Sequence, residues 1–131
     1  MDQRARVDRA IRAAAIVAIG LTLWFSLGPA PSGPGSDRQL HALAYFVDTL
    51  ALLLAVVWRP GGATRRAGVT VWAVALGMLV LGGLIEMAQG LVGRDAQLSD
   101  WLADAAGIAM AVAVFEAVRW GLPSRSPRDL R

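Results

Sequence analysis

Four long apolar runs dominate this chain, and their length decides what it can fold into. Runs of roughly 17 to 24 residues recur, each long enough as a helix to cross about 30 Å of hydrocarbon. Only helices suit them. Backbone groups surrounded by lipid must find hydrogen-bond partners within their own segment, and the alternation of barrel strands is absent. The expected architecture is an all-α integral membrane four-helix bundle, one domain with helices at about 10–28, 39–58, 68–92 and 98–121. With 131 residues, 56% of them hydrophobic, little chain is left for a water-soluble domain.

The first run has some marks of a secretory signal, since arginines precede it and Ala30 and Ser32 are small. Its apolar stretch exceeds the usual 7 to 15 residues or so, and Pro29, Pro31 and Pro34 crowd the cleavage position, so it is expected to stay as a helix. The stretch from Pro29 to Ser36 is too rich in proline, glycine and serine to be helical. Pro60 to Thr64 carries a short turn signal, and the brief Gly93 to Gln97 connection makes the third and fourth helices an antiparallel hairpin.

Arginine gives these helices a direction. Arg4, Arg6, Arg9 and Arg12 precede the first helix, Arg59, Arg65 and Arg66 lie between the second and third, and Arg119, Arg125, Arg128 and Arg131 lie at or beyond the end of the fourth. Only Arg38 and Arg94 fall on the opposite side. The positive-inside rule therefore predicts both termini in the cytoplasm. Tryptophans suit the same frame, Trp24 and Trp101 as outer anchors and Trp58, Trp72 and Trp120 as inner ones. The net charge of +3 is dispersed over helix ends rather than gathered into a basic face, so nucleic acid is not an expected partner. There is no cysteine, which excludes disulfides, thiolate nucleophiles and cysteine metal sites. The use of arginine without lysine suits a GC-rich bacterial genome.

Against this background the ionisable residues stand out, because a charge in lipid costs free energy. Asp37, His41, Tyr45 and Asp48 are spaced by four, four and three, which stacks them on one face of the second helix. Asp37 sits where an N-cap would be. His41 reads as a helix–helix hydrogen bond or as a base, proton relay or phosphate contact. Glu86, about two turns below the outer end of the third helix and followed by Gln89, must be paired, protonated or beside water; Arg94 or Arg38 would be its structural partner. Asp100 and Asp104 share the first turns of the fourth helix, where the dipole favours them. At i and i+4 they also repel, so Asp104 needs a partner, with Arg38 and Arg94 as the available cations. Asp48 falls near the bilayer midplane with no cation at its depth, and Thr22 or Ser26 are its possible partners. Ala103, Gly107 and Ala111, with Gly82, Gly83, Ala88 and Gly90, would let helices approach closely, within one chain or across a homo-oligomer.

The ordered set Ser26-Leu27-x-Pro29, Asp37-Arg38-x-x-His41-x-x-x-Tyr45, Glu86-x-x-Gln89, Arg94 and Asp100-x-x-x-Asp104-x-x-Gly107 resembles the VanZ-like membrane proteins. The resemblance spans Ser26 to Gly107. Two departures are Arg38, where lysine is common in that family, and Asp104, where asparagine is frequent; Asp48 stands where an apolar residue is expected. The resemblance implies a four-helix bacterial membrane protein, in a family whose named member is associated with low-level resistance to the lipoglycopeptide teicoplanin.

The primary expectation is a non-enzymatic membrane factor. Its outward ligand-binding site would comprise Asp37, Arg38, His41, Tyr45, Glu86, Gln89, Arg94, Asp100 and Asp104. The ligand would be an anionic lipid headgroup, a cell-envelope precursor or a lipoglycopeptide-type antibiotic, with arginine forks on phosphate or carboxylate and the acids holding the cations or binding sugar hydroxyls. No cofactor is expected. The alternatives are a small enzyme acting on a lipid-linked phosphate, with His41 or Glu86 as catalytic base and paired aspartates holding a divalent cation; a proton-coupled exporter using Asp48 or Glu86; and an accessory subunit whose polar groups merely tie helices together.

Overall fold

A computed structural model describes residues 3–28, 36–57, 65–93 and 97–121. They form four helices, α1 (Gln3–Leu27), α2 (Ser36–Val56), α3 (Arg65–Leu91) and α4 (Leu98–Gly121). The all-α class and the four helices agree with the sequence reading. Each contains a stretch long and apolar enough to cross a membrane: Ala5–Leu27, Arg38–Val56, Ala67–Leu91 and Leu98–Gly121.

The boundaries differ most at the start of the chain. The sequence reading opens the first helix near residue 10, after the arginines, whereas α1 opens at Gln3 and carries them on its first turns. Alanine and arginine are strong helix formers, no glycine or proline interrupts the stretch before Gly20, and Arg9 Nε donates to the Ala5 carbonyl at 3.2 Å. Hydropathy marks where lipid could begin, and helical hydrogen bonding runs on beyond it. For the same reason α2 opens at Ser36 rather than 39 and α3 at Arg65 rather than 68. Asp37 thus falls inside the first turn of α2 rather than at the cap. The end of α3 has a clear cause: Gly93 adopts φ 81°, the left-handed conformation that closes a helix, and the Val92 amide turns back to the Ala88 and Gln89 carbonyls at 3.1 and 3.2 Å.

Packing centres on α2. It meets α1, α3 and α4, with α4 as its most intimate partner, while α1 lies on α2 and α3 without reaching α4. Gly107 explains the closeness of α2 and α4. A Cβ there would overlap the Ala42 carbonyl oxygen and crowd the Phe46 amide, so the two backbones touch where a side chain would stand. Gly107 and Ala111 are both buried inside the chain's own bundle, which is how the small-residue pattern on α4 is used here.

The distribution of polarity inverts that of a water-soluble bundle. Large apolar side chains cover the outside, among them Ile16, Trp24, Val69, Trp72 and Leu91, the last 89% exposed. The interior instead holds His41, Asp48, Thr49, Glu86, Gln89, Asp100 and Asp104. An apolar exterior with a satisfied or functional polar interior is what a helix bundle in hydrocarbon requires. At one end the core is purely apolar, with Leu53, Val71 and Phe115 packed under Leu50, Val57, Val74 and Val112. Toward the other, Tyr45, Ala75, Met78, Ile85 and Ile108 lead into the polar residues.

Candidate functional site

The polar residues gather where α1 and α3 end and α2 and α4 begin. His41 and Tyr45 descend one face of α2, and Asp100 and Asp104 descend the facing side of α4, as the four-residue spacings predict. His41 Nδ1 and Asp104 Oδ1 are hydrogen-bonded at 2.9 Å, with both side chains buried, 7% and 1% exposed. This pair joins helices that are not neighbours in sequence. The partner of Asp104 among the described residues is therefore an imidazole, not Arg38, one of the two cations that the sequence offered.

Arg38 turns to Asp100 instead. Its Nε lies 3.8 Å from Asp100 Oδ1, an ion pair rather than a hydrogen bond, and its side chain is 62% exposed while that of Asp100 is 7% exposed. Arg38 thus stands at the rim and the carboxylate inside. The Gln97 carbonyl accepts the Asp100 and Trp101 amides at 2.9 and 3.4 Å, which makes Gln97 the capping residue of α4 and puts Asp100 in its first turn, where the helix dipole favours a negative charge. Ser99 Oγ lies 3.3 Å from both Asp100 Oδ1 and Gln97 Oε1.

Glu86 closes the group from α3. Its Oε2 accepts the Gln97 amide at 3.0 Å, so this buried acid ties the end of α3 to the start of α4. Ligand-capable atoms of His41, Glu86 and Asp100 all lie within 4.8 Å of one another, and all three residues are buried. Below them Gly82 makes room: a Cβ there would stand 2.8 Å from Asp104 Oδ2 and 3.3 Å from the Tyr45 hydroxyl. Three buried oxygens in this group have no hydrogen-bond partner, Tyr45 Oη, Glu86 Oε1 and Asp104 Oδ2. Buried polar atoms in native folds are paired in the great majority of cases, and an orphan acceptor lacks a donor or a cation.

Other expected site residues have different places. Gln89 Nε2 donates to the Ser26 carbonyl at 2.8 Å, satisfying one of the free carbonyls at the end of α1 and fastening α1 to α3. Asp48, 1% exposed, hydrogen-bonds to the Thr22 hydroxyl of α1, one of the two partners foreseen, while its Oδ2 and the neighbouring Thr49 hydroxyl have none. Arg94 and the side chain of Asp37 lie outside the described residues, as do Trp58 and the Pro29–Gly35 and Pro60–Thr64 connections. Trp101, read as an interfacial anchor, donates its indole N–H to the Leu79 carbonyl at 3.1 Å and lies against Gly83. It staples α4 to α3.

Sequence reasoning missed Thr49, Gln97 and Glu116. Gln97 acts through its backbone, which carries no sequence signal. Glu116 pairs with Arg119, whose guanidinium also lies 5.2 Å from the centroid of the Trp120 ring; an acid three residues before an arginine was the available clue. No family model, curated protein or solved structure matches the chain.

Proposed function

We propose that this chain is a VanZ-like protein of the bacterial cytoplasmic membrane, with both termini inside. Its polar cluster opens to the outer side and binds the headgroup of an amphiphile: an anionic lipid, a cell-envelope precursor or a lipoglycopeptide-type antibiotic. Support comes first from the three unpartnered buried oxygens, Tyr45 Oη, Glu86 Oε1 and Asp104 Oδ2, set between helices with apolar exteriors. Carboxylate oxygens of this kind suit the hydroxyl and amino donors of a sugar or headgroup. Arg38 at the rim, 62% exposed, suits the phosphate or carboxylate that accompanies them.

Native mass spectrometry of the full chain in detergent, with a polyprenyl-phosphate-linked precursor, phosphatidylglycerol and teicoplanin offered in turn, tests the reading. One charge-assisted hydrogen bond is worth about 1.5–3 kcal/mol, so Arg38→Ala and Arg94→Ala each weaken the preferred ligand about tenfold or more without loss of helicity. Binding left unchanged by both substitutions overturns the proposal.

A second reading has an observation of its own. Asp104 holds the His41 ring as a carboxylate holds a general base, with Glu86 close by, which suits a hydrolase or transferase acting on a lipid-linked phosphate. Turnover of a polyprenyl phosphate by the purified chain, abolished in His41→Gln, would select this reading over the first.

A further inference from the structure

We infer that His41, Glu86 and Asp100 form a binding site for one divalent transition-metal ion of the zinc or manganese type, with Asp104 orienting the histidine from behind. Three helices converge to place one nitrogen and two carboxylate donors within 4.8 Å of one another, all buried. Metal–ligand bonds of about 2.0–2.2 Å put tetrahedral ligand atoms about 3.4 Å apart. Side-chain rotations of about 1 Å would bring this set onto an ion.

Charge makes the same demand. Glu86, Asp100 and Asp104 bring three carboxylates into a space whose described cations are the exposed Arg38 and, only when protonated, the His41 ring. A divalent ion neutralises the two carboxylates that would ligate it. Glu86, 8% exposed, supplies an independent sign: Gln97 occupies its Oε2 and its Oε1 has no partner within the cluster. Behind the histidine, Asp104 Oδ1 lies 2.9 Å from Nδ1; with the ring proton on Nδ1, Asp104 accepts that hydrogen bond and the imidazole lone pair lies on Nε2. A carboxylate behind a ligating imidazole fixes its tautomer and raises its basicity, and this arrangement recurs at protein metal sites. The imidazole donor selects a borderline transition ion over calcium or magnesium, which prefer all-oxygen shells.

The site does not depend on the headgroup proposal, although an ion here could bridge the protein to a phosphate. Metal is therefore measured on lipid-free protein, and ligand binding is measured separately with and without a chelator. The test is equilibrium dialysis of the tag-free full chain in detergent against zinc or manganese, with metal content read by mass spectrometry. The expected result is one ion per chain, with Glu86→Gln and Asp100→Asn each weakening it about tenfold or more at unchanged helicity, and Asp104→Asn weakening it ~10–100-fold through the ring. Metal also raises the Tm of the natural chain and not that of Glu86→Gln. Failure to retain either ion overturns the inference, as does retention that Glu86→Gln and Asp100→Asn leave untouched. Metal binding without any amphiphile binding would sink the headgroup proposal alone.

Discussion

The two ends of the bundle are held by different chemistry. At one, Leu53, Val71 and Phe115 meet in an apolar core of ordinary hydrocarbon contacts. At the other, a histidine, two aspartates, a glutamate and a tyrosine meet with three oxygens unpartnered. In lipid the apolar end gains dispersion but little hydrophobic drive, because the surrounding tails are as apolar as leucine. The polar end has stronger individual interactions and a greater penalty for any that fail. A single lost partner therefore costs more there than at the apolar end.

The sharpest way to break this contrast is to remove one member of the buried pair. Asp104→Ala leaves His41 buried without its carboxylate and should cost about 3–5 kcal/mol, the range for breaking a buried ion pair. Thermal unfolding in detergent reads the loss, and a change below about 1 kcal/mol would mean that water already serves the site. Next in size is Gly107→Ala. Its Cβ would overlap the Ala42 carbonyl, and backbone yields less readily than side chains, so the expected cost is about 3 kcal/mol, the upper end for overpacking. A crosslink between α2 and α4 would lose yield in parallel. Smallest is Gln89→Ala, which removes the bond to the Ser26 carbonyl; interhelical hydrogen bonds in membranes average about 0.6 kcal/mol. Accessibility of a cysteine placed at Ser26 should rise while the His41–Asp104 end keeps its behaviour. Loss of both together would show that α1 is part of the site.

Much of the fold was legible in the sequence because an apolar run long enough to cross hydrocarbon has a set minimum length, and each helix contains one. The runs that became α2, α3 and α4 are unmistakable for that reason, and α4 has the limits expected. The start of α1 was not legible from hydropathy, since the turns that carry Arg6, Arg9 and Arg12 are helical without being apolar. Within the site, period alone put Tyr45 beneath His41 and Asp104 beneath Asp100. Pairings between helices were another matter. That Asp104 takes His41 rather than Arg38 depends on the rotation of α4 against α2, which Gly107 sets through backbone contact and which no spacing within one helix encodes. Gln89 and Trp101 show the same limit. Both carry N–H groups that suit a ligand or an interface, and both are used on carbonyls of neighbouring helices.

The closest packing joins α2 to α4, with α3 lying between them in the sequence, and His41 and Asp104 are 63 residues apart. During synthesis the first three helices exist before the aspartate that completes the cluster has been translated. Until α4 is made, His41 Nδ1 lacks Asp104 and Glu86 Oε2 lacks the Gln97 amide. The cluster is thus the last part of the molecule to come into being, and a chain truncated before residue 97 would keep three of its four long apolar helices and neither of those bonds.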